Sequence, residues 1–357
     1  MVQDNIEILI IGGGIAGLAT ACHLVLAGQG GVALVEREQL PGFYASGHNA
    51  GIARQLTGRP EHTALTVQGR GLLAQEGLMT PSGGCLLAAE PGGTGTLETE
   101  AREFGLAART GTGSPVAGLR ATEWLRVEGD GVIDIHAELG RCAGIAEDGG
   151  ASLRFGCRVL GIEPDGAGFR VDTDQGRVRT RILVNAAGAW AGEVGRMAGG
   201  LDLLLRPLRR HLAWTGAPWP GDWPWAWWTD RPFYLRPESG GALLCPCDEG
   251  EVPLPERGLQ PASDGKVLAG LDRSARDLAP DLGGVAQARL WCGLRTFAPD
   301  RRFVLGPDPV NPGLHWVAGL GGHGMTAGLA VGRLAAGSIL GRISPGALDP
   351  GRFLPHS

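Results

Sequence analysis

Lysine is almost missing from this sequence of 357 residues, because 31 of the 32 lysine-plus-arginine residues are arginine and Lys266 is the exception. We attribute this imbalance, together with the 62 glycines, to the base composition of the genome. A basic excess is missing too, since the formal net charge is -5, and we expect no nucleic-acid partner. No run of about 18 apolar residues occurs, and the first glycine turn lies too near Met1 for a cleavable signal to precede it. We therefore expect a soluble, cytoplasmic protein without a transmembrane segment.

Paired cysteine motifs are also missing. The seven cysteines are scattered, and the nearest pair, Cys245 and Cys247, has no further cysteine or histidine at metal-binding spacing. This pattern predicts reduced, ordinary thiols and no metal site. Apolar residues make up 43% of the chain and charged residues 19%, which permits a large buried core in two closely packed domains.

The stretch "ILIIGGGIAG" predicts a nucleotide-binding turn. Ile8 to Ile11 form a short β-branched strand, and Ile15 to Leu26 are compatible with a helix. Gly12, Gly14 and Gly17 give the spacing G-x-G-x-x-G between them. The first glycine permits a tight turn and the second lets a pyrophosphate approach the backbone, where N–H groups at the helix start favour an anion.

A second strand in "GVALVER" ends at Glu36, nineteen residues after Gly17. A carboxylate at this position can accept hydrogen bonds from both ribose hydroxyls, while a 2′-phosphate would be repelled. The complete unit of strand, glycines, helix, strand and acid predicts a dinucleotide site. By itself it does not separate NAD from FAD.

Two later segments favour a flavin. In "TRILVNAAGAWAGEV" the strand Ile182 to Val184 runs into small residues, and carboxyl ends of parallel strands are where ligands bind in open α/β sheets. In "GLHWVAGLGGHGMTAGLAVGRLAAGSIL" the strand His315 to Ala318 runs through four glycines into a helix that begins near Met325 or Thr326. A second glycine-lined helix N-terminus suits the negative charge at the N1–C2=O edge of a reduced flavin.

These motifs, with "LPGFYASGHNAG", "LRRHLAW", "RPFYLRP" and "CGLRTFAPD", resemble the D-amino-acid oxidase family of FAD enzymes. Within it the sequence looks most like the bacterial D-arginine and D-amino-acid dehydrogenases and the glycine oxidases. The resemblance implies noncovalent FAD, with attachment through His48 or a cysteine as the alternative. It implies these cofactor-binding residues: Gly12, Gly14, Ile15, Ala16, Gly17, Glu36, Arg37, Ser46, Gly47, His48, Ala187, Gly188, Trp190, Gly321, Gly322, His323, Gly324, Met325 and Thr326.

The resemblance also implies an α/β fold with two interleaved domains. A Rossmann-like FAD-binding domain is predicted over residues 1–78, 141–205 and 290–357. An α+β substrate domain, built on a mainly antiparallel sheet, is predicted over residues 79–140 and 206–289. The alternation of apolar and polar residues around Asp165-Gly166 and Gln175-Gly176 predicts a meander of strands that leads into "NAAGAW".

Three candidate catalytic residues follow from the same resemblance. Arg295 in "CGLRTFAPD" matches the arginine that binds the substrate carboxylate, and Tyr234 in "RPFYLRP" matches the tyrosine that assists it. Arg210 in "LRRHLAW" matches a second carboxylate contact. A guanidinium suits this task because it grips a carboxylate through two parallel hydrogen bonds.

Six of the ten tryptophans fall between Trp214 and Trp228, and we expect Trp225 and Trp227 to line the side-chain pocket. An aromatic core or lid is the alternative for this cluster. The segment "PSGGCLLAA" contains no acid before Glu90, which disfavours a cationic substrate. The predicted function is therefore FAD-dependent oxidation of a D-amino acid with a neutral side chain.

That oxidation would give an imino acid by hydride transfer to flavin N5, and water would then release a 2-oxo acid and ammonia. The alternatives are an amine oxidase of the glycine or sarcosine type and a 2-hydroxy acid dehydrogenase, which would need a base such as histidine. The predicted partner is a small amino-acid substrate. The electron acceptor, oxygen or a quinone, stays open.

Overall fold

The computed structural model describes residues 4–354. Its strands in chain order are β1 (Asp4–Ile11), β2 (Val32–Glu36), β3 (Ile52–Ala53), β4 (Met79–Thr80), β5 (Gly84–Ala88), β6 (Ala108–Thr112), β7 (Glu123–Val127), β8 (Gly131–Ile133), β9 (Ser152–Phe155), β10 (Val159–Asp165), β11 (Gly168–Thr173), β12 (Gly176–Asn185), β13 (Arg206–Thr215), β14 (Trp225–Trp228), β15 (Tyr234–Glu238), β16 (Gly241–Cys245), β17 (Gly250–Glu251), β18 (Arg289–Phe297), β19 (Val304–Pro307) and β20 (Leu314–Ala318). The helices are α1 (Ile15–Leu26), α2 (Pro60–Gln75), α3 (Gly95–Glu103), α4 (Ile135–Asp148), α5 (Ala191–Met197), α6 (Val267–Leu278) and α7 (Gly324–Ile339).

The first sheet has the order β10-β11-β12-β1-β2-β9, and β20 and β19 extend it beside β12. The strands β9, β2, β1, β12 and β20 run parallel at its centre. Their apolar runs, such as Ile8 to Ile11, are buried on both faces, as expected for a parallel sheet covered on each side. The predicted meander is confirmed, because β10, β11 and β12 pair antiparallel through the two predicted turns.

Helices α1 and α7 lie beside this sheet and pack against each other. They are so close that small residues are required at their contact. A Cβ atom placed on Gly332 of α7 would lie 2.4 Å from the backbone carbon of Ala19 in α1. A Cβ atom on Gly328 would lie 2.3 Å from a side-chain carbon of Ile15. The glycines of α7 therefore set the distance between the two helices whose N-termini face the site.

The second sheet has the order β17-β13-β16-β15-β14-β5-β7-β6, with β18 beside β13. Its pairs are antiparallel except β14 with β5. Its core includes Trp228 and Phe233, together with Leu271 from α6, and each of these residues is at most 1% exposed. The predicted class, a Rossmann-like domain joined to an α+β domain with a mainly antiparallel sheet, is confirmed. Between residues 4 and 354 no helix is long and apolar enough to cross a bilayer.

Two predicted domain boundaries cut through elements of the structure. The boundary at residue 141 falls inside α4, which packs as a whole beside α1. The boundary at residue 290 assigns β18 to the FAD-binding domain, whereas β18 pairs along its whole length with β13 of the second sheet. After β18 the chain returns from the second sheet to the first. The division into domains stays a prediction.

Candidate active site

A cavity of about 840 Å³ lies between the two sheets. Its wall includes these predicted residues: Gly12, Gly14, Ile15, Ala16, Glu36, Arg37, Ser46, His48, Ala187, Gly188, Trp190, Arg210, Trp227, Tyr234, Arg295, Gly321, Gly322, His323, Gly324, Met325 and Thr326. The predicted residues Gly17, Gly47 and Trp225 lie outside this wall. A Cβ atom on Gly17 would lie 2.0 Å from the carbonyl oxygen of Gly12, and one on Gly47 would lie 2.5 Å from that of Gly42. Both glycines therefore permit the close backbone packing behind the cavity.

Side chains from two other segments accept hydrogen bonds from the backbone of the first glycine turn. The Glu36 carboxylate accepts hydrogen bonds from the backbone N–H of Gly13 at 2.6 Å and from that of Glu38 at 2.9 Å. The Ser46 hydroxyl accepts the N–H of Ile15, at the start of α1, at 3.0 Å. Burial raises the pKa of Glu36, against these two hydrogen bonds. A carboxylate has about four acceptor positions, so Glu36 can still accept from a ribose.

The end of the cavity near Glu36 is closed by aromatic and basic side chains. The guanidinium of Arg37 lies 3.8 Å from the ring centre of Trp190, and it donates to the hydroxyl of Tyr44. That hydroxyl donates to Glu38 at 2.6 Å. A loop from the second sheet, residues 254–257, also lines this end. Arg257 fixes the loop by donating to the carbonyl of Gly156 at 2.7 Å.

The third glycine turn brings Arg295 against the start of α7. Gly321 has a φ of 53°, and its N–H donates to the carbonyl of Thr296 at 3.0 Å. A Cβ atom on Gly322 would lie only 2.7 Å from Nη1 of Arg295, so the absent side chain makes room for the guanidinium. The helix has no side-chain cap, which leaves the first N–H groups of α7 available to a ligand in the cavity.

Arg210 and Arg295 lie on one face of the second sheet because Arg295 pairs with Leu208, two residues from Arg210. Both guanidinium groups contact the same carboxylate oxygen of Glu249, Arg295 at 2.8 Å and Arg210 at 3.4 Å. Arg301 also contacts that oxygen, at 2.7 Å. Burial, with the neighbouring Arg210, lowers the pKa of Arg295 to about 10, so its guanidinium is charged at neutral pH. One carboxylate thus serves three cations and leaves this region positively charged.

Tyr234 and Trp227 face each other across β14 and β15, and their rings stack with centres 4.4 Å apart. Tyr234 interacts electrostatically with both Arg210 and Arg295, and burial raises its pKa well above the ordinary value. The predicted trio of Arg295, Arg210 and Tyr234 therefore comes together in space. Its catalytic role stays a prediction.

Trp225 does not reach the cavity. Its side chain is 0% exposed and packs over Gly84, where a Cβ atom would lie 2.1 Å from the indole ring. Trp225 and Trp227 share a face of β14, as residues two apart on a strand must, but only the end of the strand near Trp227 borders the cavity. The position of Trp225 matches the alternative interpretation of the tryptophan cluster, in which it is an aromatic core residue.

His323 is kept neutral by its surroundings. Burial lowers its pKa well below the ordinary value, and Arg54, His62 and Arg295 add to the effect. The ring of His62 lies 6.3 Å from that of His323. His323 therefore lies within electrostatic reach of two guanidinium groups that approach from different walls of the cavity.

Sequence reasoning missed three parts of this site: Arg54, Glu249 and the loop at 254–257. Glu249 could have been predicted, because "CPCDEG" contains two acids that can pair with the basic segment "LRRH". Asp248 in the same segment accepts from Nδ1 of His211 at 2.7 Å. Arg54 and the loop lie in irregular segments, where no periodicity predicts which side chains meet.

The residues present fit an FAD molecule. Gly12, with a φ of 118°, brings the turn so close to the next strand that a Cβ atom would lie 2.3 Å from the carbonyl oxygen of Ala186. The starts of α1 and α7 both line the cavity, and the glycine turn before α7 lies against Arg295. An elongated dianionic ligand with a ribose near Glu36 matches this set of one carboxylate acceptor and two helix N-termini.

The fold and the site define an FAD-dependent oxidoreductase. More narrowly, the chain belongs to the DAO family, whose model, described as FAD dependent oxidoreductase, matches residues 7–337. Its cofactor is FAD. The predicted resemblance to the D-amino-acid oxidase family is thereby confirmed.

Relatives of this chain include dehydrogenases of dimethylglycine and of D-amino acids. Mitochondrial dimethylglycine dehydrogenase from Mus musculus is 28% identical over 379 residues, which cover 93% of this chain and 42% of that protein. The chain thus spans about two fifths of that relative's length. D-amino acid dehydrogenase from Methylobacterium sp. (strain 4-46) is 29% identical over 219 residues, covering 58% of this chain and 51% of that protein. The structure of L-proline dehydrogenase from P. horikoshii matches with a TM-score of 0.84 at 22% identity, over 99% of this chain and 98% of that one, and so shares the fold.

Proposed function

We propose that this protein oxidises the C–N bond of an amino acid to an imino acid, with a D-amino acid as the first candidate. The observation that carries the proposal is the pair of guanidinium groups, Arg210 and Arg295, beside the glycine turn at the start of α7. Two guanidinium groups on one sheet face suit a carboxylate, the group that every α-amino acid carries. A relative that is a D-amino acid dehydrogenase supports this candidate.

The chain's own residues bind and orient the substrate. Glu249 contacts Nη2 of Arg295, so the other donors of that guanidinium remain for the substrate carboxylate. Stacking on Trp227 fixes the ring of Tyr234 and with it the position of the hydroxyl. FAD, when bound, supplies the acceptor for the hydride from Cα. Water then hydrolyses the released imino acid to a 2-oxo acid and ammonia.

The state of His323 favours an amine over an alcohol as the substrate. A 2-hydroxy acid must lose its hydroxyl proton, so its oxidation calls for a base beside the reacting carbon. Burial and nearby cations lower the pKa of His323 well below its ordinary value, which makes it a weak base. An amine that has already lost its proton in solution needs no such base.

A glycine-type substrate is the second candidate, because a dimethylglycine dehydrogenase matches over 93% of this chain. Arg210 and Arg295, which together we call the carboxylate clamp, would hold glycine, sarcosine or dimethylglycine in the same way. The test is anaerobic bleaching of the flavin absorbance by D- and L-amino acids, by these three glycines and by lactate. Bleaching by a D-amino acid supports the first candidate, and bleaching by the glycines alone supports the second. Bleaching by lactate and by no amine would contradict both.

A further inference from the structure

Arg54 is a cation in the cavity wall that the carboxylate clamp does not use. It follows β3, and its backbone N–H donates to the hydroxyl of Thr326 at 3.3 Å, next to the start of α7. Within residues 4–354 its guanidinium donates no hydrogen bond and forms no ion pair. Nε is buried without a partner, and an unpaired buried cation is unfavourable unless an anion joins it.

The acid that acts most strongly on Arg54, Asp130, compensates its charge poorly. Asp130 is fully buried and accepts the N–H of Gln55 at 3.1 Å. Burial raises the pKa of Asp130 well above its ordinary value, against the attraction of Arg54. A second acid, Glu100, acts on Arg54 electrostatically, but it bonds to Thr63 at 2.7 Å and to the N–H of Gly58 at 3.0 Å. Burial lowers the pKa of Arg54 as well, while Asp130 and Glu100 raise it. Because a guanidinium stays protonated in proteins, the wall beside Arg54 keeps a positive charge.

Arg54 approaches the cavity from a different wall than Arg210 and Arg295. Its guanidinium carbon lies 4.5 Å from the ring centre of Trp227, the ring that also stacks on Tyr234. The other two arginines stand on β13 and β18 and share Glu249. A single carboxylate already finds two guanidinium groups there, so the third cation matches a second anionic group on the same ligand.

We propose that Arg54 and Trp227 form a second anion subsite, which binds a carboxylate that the substrate carries besides its α-carboxylate. The substrate class is then an acidic amino acid, such as D-aspartate or D-glutamate, or an N-carboxymethyl amine such as iminodiacetate. This inference rests on the proposed function and replaces the predicted neutral side chain by an anionic one. The absence of an acid in β5 agrees with it, because such an acid would repel this substrate.

Binding without turnover tests the subsite directly. Succinate and its isostere succinamate, in which a neutral amide replaces one of the two carboxylates, are titrated into the FAD-loaded protein, and the change in the flavin absorption spectrum gives each Kd. We expect succinate to bind at least tenfold more tightly than succinamate. Arg54→Gln should bring the ratio to about one, and Arg54→Lys should retain part of it. Arg109→Gln is the matched control, since Arg109 is exposed on β6 and pairs with Glu128.

Turnover then distinguishes the sources of the second carboxylate. The values of kcat/KM are compared within three pairs whose members differ in the second carboxylate: D-aspartate with D-asparagine, D-glutamate with D-glutamine, and iminodiacetate with sarcosine. We expect a preference of at least tenfold for the anionic member in one pair or more, lost in Arg54→Gln. The pair with the largest ratio identifies the length of the linker between the two carboxylates.

Three outcomes overturn the subsite: a wild-type ratio of about one in both assays, a wild-type preference that Arg54→Gln leaves intact, or equal loss of succinate and succinamate in Arg54→Gln. The first needs no variant, so the inference is testable even if Arg54→Gln does not fold. Arg54→Gln with Asp130→Asn removes the buried acid together with its cation and is the second variant. If no amine bleaches the flavin while the succinate preference still depends on Arg54, the subsite stands and the proposed function fails.

Discussion

The guanidinium of Arg295 occupies space that a side chain at residue 322 would need. Its Nη1 lies where a Cβ atom of residue 322 would make a contact of 2.7 Å. Glu249 fixes the guanidinium through Nη2 at 2.8 Å. Any side chain at residue 322 would therefore push the clamp away from the start of α7.

We expect Arg295→Met to raise the apparent KM about a hundredfold or more, since losing a buried carboxylate contact costs about 3 to 5 kcal/mol. The FAD content should stay unchanged. Tyr234→Phe should cost less, because a neutral hydroxyl contributes a weaker hydrogen bond. Arg301→Met is the control: it also removes a cation from Glu249, but Arg301 does not line the cavity. Steady-state kinetics on one substrate check this, and equal KM values for Arg295→Met and wild type would exclude the clamp.

The two tryptophans of β14 should respond differently to the same change. Trp227→Phe should alter the ranking of substrates, because Trp227 lines the cavity and stacks on Tyr234. Trp225→Phe should lower the free energy of unfolding by about 1 to 3 kcal/mol through lost packing and leave the ranking unchanged. Denaturant titration and specificity constants separate the two effects. A changed ranking in Trp225→Phe would contradict its assignment to the core.

His48 is the candidate residue for a covalent bond to the flavin. It lines the cavity, and its Nδ1 is buried without a partner. We expect noncovalent FAD, so acid precipitation should leave the yellow colour in the supernatant. Colour that stays in the pellet, and that is lost from the pellet in His48→Ala, would instead indicate a bond to this histidine.

At the scale of elements, α1 and α7 form the framework of the site. The start of each helix faces the cavity, and the two helices touch where Gly332 lies against Ala19. A larger residue at this contact must push the helices apart, because the nearest atoms belong to the backbone.

We expect Gly332→Ala to lower the free energy of unfolding by about 1 to 3 kcal/mol, the usual cost of overpacking. Gly140→Ala in α4 is the matched control, since a Cβ atom there would meet nothing within 4 Å. That change should raise stability by up to about 1 kcal/mol through helix propensity. Urea unfolding of both variants measures the difference. Equal stability of the two would contradict the close packing of α1 on α7.

The elements next to glycine turns could be predicted closely from the sequence. The predicted helix Ile15 to Leu26 has the observed bounds, and the predicted second strand ends at Glu36 as observed. Local signals suffice there, since the glycines, apolar runs and turns are all close in sequence. The predicted pocket failed at Trp225 because strand alternation gives the face of a residue but not its depth. Arg54 was missed because its surroundings come from α7 and β14, far away in the chain.

At the scale of the whole molecule, several histidines are buried in the neutral form. Burial lowers the pKa of His62 and of His315 from 6.5 to about 4. His62 accepts the backbone N–H of Phe303 at Nε2, at 3.2 Å, and stacks on that ring. Protonation would destroy this hydrogen bond.

Stability should therefore fall as the pH drops. A histidine whose folded pKa is lowered binds a proton more readily in the unfolded chain, so its contribution is complete above about pH 6.5 and is lost between there and about pH 4. Each such histidine adds a slope of about 1.4 kcal/mol per pH unit within that range. Urea unfolding at several pH values checks the slope. His62→Gln should reduce it, and an unchanged slope would show that His62 does not titrate on unfolding.

The cavity draws its walls from opposite ends of the chain, and this has a consequence during synthesis on the ribosome. The β1–α1 unit is made first, but the face of α1 that packs on α7 stays uncovered until residues 324–339 have emerged. Likewise β1 gains its neighbour β12 only after residues 178–185 have been translated. The nucleotide-binding turn therefore stays open, and the apolar face of α1 stays uncovered, until residues 324–339 have emerged. FAD can complete its contacts only after that point, so the cofactor joins late in folding.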